Sequence, residues 1–260
     1  MEIIHPLFKW LHIFAGVMWI GLLYFFNFVN GAFAATMDAE TKQKVVPELM
    51  PRALYWFRWG AAWTWVTGFI LLLVLFYHGG LTFEDAEAGF GMEAIVMIAV
   101  TFLAVFAYDA LYSSGLASNV RVVTIISFVL IGAIVFLMKT WAGFSYRSFN
   151  IHLGAMFGTI MAFNVWFRIW PAQQRIIGAI KNAVGPEAGD VALAGLRSKH
   201  NTYMSVPLFW TMINQHTTFL SGGNWGITDS TNWMVLMIVV AIGWHMVFQS
   251  YKRSGKVKGF

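Results

Sequence analysis

The stretch KHNTYMSVPLFWTMINQH, Lys199 to His216, is apolar enough to enter a membrane, yet it carries His200, Asn201, Thr202, Tyr203, Asn214, Gln215 and His216. An unpaired polar side chain in hydrocarbon costs several kcal/mol, so a span this rich in them requires partners, a cofactor or water. At ~1.5 Å rise per residue, His200 and His216 stand ~24 Å apart in a ~30 Å hydrocarbon core, one near each face. Imidazoles, carboxamides and a phenol can ligate a metal, pass protons and hold a polar ring.

Helix direction sorts the remaining buried polar residues into two depths. Near the outer face come His12, His152, Asn214, Gln215 and His216, with His78 at the rim. Three histidines at one depth on three helices form the pattern of haem axial ligation by neutral imidazoles. One expectation is therefore a b-type haem with its iron held through His152, His216 or His12, where Gly16, Gly154 and Gly158 let a flat macrocycle approach the backbone. The other is a set of hydrogen-bonded bundle histidines, with the glycines serving helix contacts alone.

Near the inner face come Asn27, Asn30, Asp109, Asn164, His200, Asn201, Thr202, Tyr203 and His245. Asp109 stands ~25 Å along a helix that starts outside. These groups suit a pocket open to the cytoplasm and a ring-shaped, hydrogen-bonding substrate. Two other readings stand beside it: a solvated interface in which Asn201 and Thr202 cap a helix, and a second haem between His200 and His245.

Seven apolar windows long enough to span must position these residues, at about 6–30, 54–78, 92–114, 120–142, 149–170, 199–219 and 232–251. The connection TMDAETKQKVVPELMPRA predicts a short amphipathic helix broken around Pro47 and Pro51. The segment 171–198 predicts a cytoplasmic interfacial helix, a Gly-Pro break and a second small helical piece. Pro207 is expected to kink the sixth span. The first and fifth spans also echo each other, as HIFAGVMWIGLLYFFN and HLGAMFGTIMAFN, each with a histidine near one end and an asparagine lower down.

The composition fits that picture. Of 260 residues, 58% are hydrophobic and only 11% charged, the mean hydropathy is +0.64, and soluble domains run near 25% charged. The fold class is therefore an all-α, polytopic transmembrane helix bundle, a single domain over 1–260. With no cysteine, iron–sulfur clusters and covalent c-type haem through C-x-x-C-H are excluded, whereas a b-type haem is not. The net charge of +5 does not point to nucleic acid, because the basic residues sort by membrane side. An N-terminus in the periplasm places all Lys and Arg inside except Lys9, Lys139 and Arg147, which sets the C-terminus in the cytoplasm. No cleavable signal peptide is expected. Nucleotide-binding loops, H-E-x-x-H and G-x-S-x-G elbows are missing.

Three stretches, WLHIFAGVMWIGLLYFFNFVN, HLGAMFGTIMAFNVWF and above all KHNTYMSVPLFWTMINQH, resemble the membrane domain of the bacterial cytochrome c-linked urate oxidase family, or urate hydroxylase. The resemblance extends over most of the chain and implies oxidation of urate to 5-hydroxyisourate, with electrons passed to a cytochrome c and no hydrogen peroxide formed. By motif it covers His12, Gly16, Trp19, Asn27, His152, Asn164, His200, Asn201, Tyr203, Pro207 and His216. Family members add a further helix and a fused C-terminal cytochrome c domain, whereas this chain ends in KRSGKVKGF. The acceptor is then expected to be a separate cytochrome c, or the chain is a subunit of a larger membrane complex.

In the enzyme reading, urate enters the inner pocket, Asp109, His200 or Tyr203 serves as base, and Asn27, Asn164 and Asn201 hold the amide-like ring edges. Electrons leave through haem near His12, His152 and His216, with Gly16 and Gly158 beside it. A second reading keeps one or two b-type haems and replaces urate by a quinol. A third is a structural subunit of a respiratory or photosynthetic assembly. All three place the chain as a multi-pass protein of the bacterial inner membrane.

Overall fold

The computed structural model describes residues 3–85, 87–214 and 227–257. Regular structure among them is helical, and the strand-like pairing is an isolated antiparallel bridge between Phe83 and Phe144. Helix α1 runs Ile4–Thr36, α2 Ala39–Tyr77, α3 Met92–Ser113 and α4 Val120–Thr140. Helix α5, Tyr146–Phe163, continues through Asn164–Ile169 into α6, Trp170–Lys181. Helices α7 and α8 are Ala188–Ile213 and Trp233–Ser254. Five of these, α1 to α4 and α8, are long and apolar enough to cross a membrane.

Helices α5 and α7, expected as the fifth and sixth spans, fall outside that group for a physical reason. Their interior-facing residues include Ser148, Asn150, His152, Arg197, Asn201 and Thr202, each at most 1% exposed. A helix buried on most sides can carry polar groups that a lipid-facing helix cannot.

Three expectations on local structure are corrected. Pro47 and Pro51 do not break α2, which is helical through both. Each proline removes one i→i−4 bond, at the carbonyls of Gln43 and Pro47, on a stretch where Gln43, Glu48 and Pro51 are exposed and polar surroundings can replace the bond. Arg52 adds a clamp there, donating to both the carbonyl and the carboxylate of Glu48. The second piece of the 171–198 segment is not separate, since α7 runs unbroken from Ala188 past Lys199. The break lies at 182–187, where Ala183 takes φ 55° and the Gly-Pro pair follows. Asn201 and Thr202 are therefore not caps but sit in the middle of α7, fully buried.

Backbone contacts divide the chain into two compact units, one of residues 69–160 and 207–243, the other of 2–68, 161–206 and 244–260. In the first, α7 and α8 meet closely, as a Cβ added at Gly243 would lie 2.9 Å from Pro207 Cδ. The 81–91 connection is tied to the start of α5: Ser145 N–H donates to the Thr82 carbonyl at 2.9 Å and Ser145 Oγ to the Leu81 carbonyl at 2.9 Å.

In the second unit, α1 and α2 approach so closely that a Cβ at Gly60 would lie 3.2 Å from Trp19 N. Small residues at helix contacts are the usual means of such approach in a membrane. Helix α6 is pinned to α2 by Arg58, whose guanidinium lies 4.0 Å from the Trp170 ring centroid and 5.6 Å from that of Trp166. The turn between α6 and α7 is closed by a two-pronged ion pair from Arg175 to Asp190, at 2.8 and 2.5 Å.

Candidate functional site

His12 lies on α1 against a socket cut in α2. Its Nδ1 is 2.9 Å from the Thr64 carbonyl and 3.2 Å from Thr67 Oγ1. A carbonyl has no proton to give, so Nδ1 carries the hydrogen and Nε2 keeps the lone pair. The Thr67 hydroxyl donates to the Trp63 carbonyl at 2.6 Å and so faces the imidazole as an acceptor. Gly68 completes the socket, since a Cβ there would stand 2.8 Å from His12 Cε1.

His152, on α5 and fully buried, repeats the pattern. Its Nδ1 is 2.7 Å from the Ser148 carbonyl and 3.3 Å from Ser148 Oγ. Its Nε2 therefore accepts from the Tyr77 hydroxyl at 3.0 Å. The rings of Phe76, Tyr77 and Phe144 surround it, with centroids 6.3, 5.7 and 4.7 Å away.

An imidazole holds iron only through a nitrogen with a lone pair, and ligand histidines usually give the other N–H to a carbonyl. Both histidines meet the second condition, with Nδ1–H given to a carbonyl. Nothing among the described residues hydrogen-bonds His12 Nε2, whereas His152 Nε2 is taken by Tyr77. His216 lies outside the described residues. The glycines do not open a slot: an added Cβ at Gly16 or Gly158 would meet Thr64 Cγ2 at 3.8 Å or Leu208 Cδ1 at 3.9 Å, ordinary packing, and one at Gly154 would collide with Thr211. Their observed use is helix contact. No group of three or more His, Cys, Asp or Glu able to hold a bare metal ion occurs among the described residues.

The second unit gathers the amides and phenols around α7. Asn164 Nδ2 donates to Asn201 Oδ1 at 2.9 Å, and Asn201 Nδ2 to the Met161 carbonyl at 3.0 Å. Asn27 is held on both sides, donating to the Leu23 carbonyl and to Ser198 Oγ at 2.8 Å each and accepting from the Tyr251 hydroxyl at 2.8 Å. Tyr203 stacks on Tyr251, with centroids 6.1 Å apart. The expected amides are thus bonded to protein groups, with Asn201 fixing the carboxamide of Asn164.

Asp109 lies half-buried near the C-terminal end of α3, in the other unit. His200 is half-buried on α7. His245 is exposed on α8 and hydrogen-bonds Gln249 one turn on, at 3.2 Å. Several neighbours were not singled out in the sequence: Thr64, Thr67 and Gly68 behind His12, Tyr77 on His152, Ser198 and Tyr251 on Asn27, and the buried Arg197. The T-x-x-T-G spacing of α2, which puts small residues on one helix face, is the signal that could have found the His12 socket. Arg197 was visible only as a topology charge.

The sequence model of a family described as Urate oxidase N-terminal matches residues 37–258. The match takes in His152, Asn164, Arg197, His200 and Asn201 and begins after His12 and Asn27. No curated protein matches, and no solved structure does.

Proposed function

Because this chain belongs to the urate oxidase N-terminal family, we propose that it is the membrane-embedded part of a urate-oxidising system, taking urate to 5-hydroxyisourate and delivering the electrons to a cytochrome c. The observation that carries the reading is the family match over 37–258. The conversion adds one water to urate and releases two protons and two electrons, so it needs a proton acceptor and a one-electron carrier at each turnover.

The polar cluster of the second unit supports a purine site there. His200 and Tyr203 share that unit with Asn164 and Asn201 and are assigned the proton-transfer roles. Asp109, near the C-terminal end of α3, is kept as an alternative base. Asn27, bonded on both sides, holds α1, α7 and α8 in register around the cluster.

The imidazole geometry supports a b-type haem bound through Nε2 of His12 rather than His152, whose Nε2 accepts from Tyr77, and such a haem would store single electrons between a two-electron substrate and a one-electron cytochrome. The same geometry favours a second reading, a haem-b subunit reduced by a quinol. Seven spans with the N-terminus periplasmic, in a bacterial inner membrane, complete the proposal.

The test is urate-dependent reduction of cytochrome c by the purified protein, run beside a quinol. Reduction by urate is the expected result. Reduction by quinol alone moves the chain to the second reading, and reduction by neither removes both.

A further inference from the structure

Arg58 stands on α2 with its guanidinium among aromatic rings, 4.0 Å from the Trp170 centroid, 5.6 Å from that of Trp166 and 5.9 Å from that of Tyr55. The cage is fixed by protein contacts: Trp166 Nε1 donates to the Arg58 carbonyl at 3.1 Å, and Trp59 packs edge-on against Trp166 with centroids 5.5 Å apart. Rings engage the face of a guanidinium and leave the N–H donors in its plane unanswered. Nε is buried without a hydrogen-bond partner, and among the described residues no acceptor bonds the terminal nitrogens and no carboxylate pairs with the charge. The charge is positioned but not neutralised. From Tyr77, where α2 ends, back to Arg58 the helix rises ~28 Å, close to the ~30 Å of a hydrocarbon core, so Arg58 stands at a membrane boundary. Tyr55, Trp56 and Trp59 are exposed at that level, where an aromatic belt is expected. Just beyond it, an open cleft of about 500 Å³ is lined by Pro47, Glu48, Pro51, Arg52, Tyr55 and Trp56. Tyr55 belongs to both cleft and cage, and helical phase puts Pro47, Pro51 and Arg58 on one face of α2. The Glu48 carboxylate in the cleft is already paired with Arg52.

We propose that the Arg58 cage binds the headgroup phosphate of an anionic membrane phospholipid, with the headgroup reaching into the cleft and the acyl chains lying against Trp63 and Val66, which are exposed further along α2. The inference stands on the membrane reading of α2 and is independent of the urate reading. A phosphate diester presents two unesterified oxygens, which the edge of a guanidinium holds by two parallel hydrogen bonds. Stacking on Trp170 fixes the guanidinium before the lipid arrives, so little rotamer freedom is lost on binding. An anionic headgroup leaves that phosphate uncompensated, whereas a zwitterionic one brings its own cation to compete with Arg58. Basic pockets at the membrane boundary of a helix are the usual receptors of such headgroups.

Native mass spectrometry of the full chain released from detergent tests this, with phosphatidylglycerol, phosphatidylcholine and inorganic phosphate as probes. The native chain is expected to hold phosphatidylglycerol more tightly than phosphatidylcholine and to keep it in the presence of excess inorganic phosphate. Arg58→Gln is expected to weaken phosphatidylglycerol binding roughly 10- to 100-fold, the range for a hydrogen bond to a charged group, while phosphatidylcholine binding changes little. Arg58→Lys keeps the charge without the fork, so it is expected to keep the preference for the anionic lipid at reduced affinity, and it carries the test should the Gln variant not fold. Native phosphatidylglycerol affinity in a folded Arg58→Gln protein, or in Arg58→Lys where the Gln variant does not fold, overturns the assignment. A native chain with no preference between the two lipids overturns it as well. Displacement of phosphatidylglycerol by inorganic phosphate overturns the lipid as occupant and leaves a site for free phosphate.

Discussion

A histidine that gives Nδ1–H to a carbonyl has one nitrogen left, and what that nitrogen meets decides what the residue can do. At His152 it meets the Tyr77 hydroxyl at 3.0 Å, whereas the described residues leave it open at His12. The socket behind His12 is therefore expected to matter for cofactor binding. His12→Ala should abolish uptake when haem is titrated into the purified protein and followed by its absorption band. Thr67→Val, which removes one of the two acceptors on Nδ1, should lower haem affinity by roughly 10- to 100-fold, the cost usual for an outer partner of a ligand histidine. Tyr77→Phe should leave uptake unchanged. Native uptake by His12→Ala, or its loss in Tyr77→Phe, would shift the role to His152.

Much of this was legible at the level of residue type and not of partner. His12, His152, Asn27, Asn164 and Asn201 stand out because polar groups in apolar windows need a reason, and the structure supplies a hydrogen-bond partner for each. Their partners escaped because Thr64, Thr67 and Ser148 are ordinary in a membrane helix and act partly through backbone carbonyls, which every residue possesses. Arg197 escaped for a different reason: a lone arginine near a helix end reads as a topology charge until its burial is known.

Three helices contain a wide, π-type turn, at Phe25–Asn30, Leu73–Tyr77 and Asn164–Ile169. Such turns are rare and concentrate at functional positions, and here they hold Asn27, Tyr77 and Asn164. The echo between the first and fifth spans gains content from this. In each, a histidine clamped at Nδ1 by a carbonyl and a hydroxyl precedes an asparagine in a π-turn. Apolar periodicity located the helices but could not show the extra residue in these turns, since it shifts the pattern by less than the window resolves.

The α6–α7 turn makes a prediction about pH. Asp190 is held below the usual carboxylate range by its hydrogen bonds and charge pairing with Arg175, and Arg175 is correspondingly raised. A carboxyl lowered in the folded state contributes above its unfolded pKa and loses that contribution as pH falls through the folded value. The turn should therefore resist protease at neutral and mildly acidic pH and open only below the ordinary carboxylate range. Asp190→Asn should open it already at pH 7. The pair is exposed on the Arg175 side, so the effect should be local and weaken in high salt. Cleavage within 182–187, mapped by mass spectrometry, reads it out.

For the molecule as a whole, the proposed electron transfer makes a demand on which side each connection faces. Under the proposed function, a purine from cytoplasmic metabolism and a cytochrome c outside would call for connections on both sides of the membrane. The sequence expectation agrees with this, since an odd number of spans would put Lys9, Lys139 and Arg147 on one side and the other basic residues on the opposite one. The absence of cysteine makes a direct test possible, because any thiol introduced is the only one present. Ala88→Cys and Ser230→Cys, both exposed, should react with a membrane-impermeant maleimide in right-side-out vesicles. Asn182→Cys and Gly255→Cys, also exposed, should react only after the vesicles are opened. Labelling of all four from one side would leave an odd number of crossings impossible between these connections, and the reverse pattern would put the basic face outside and bar a periplasmic cytochrome c as acceptor.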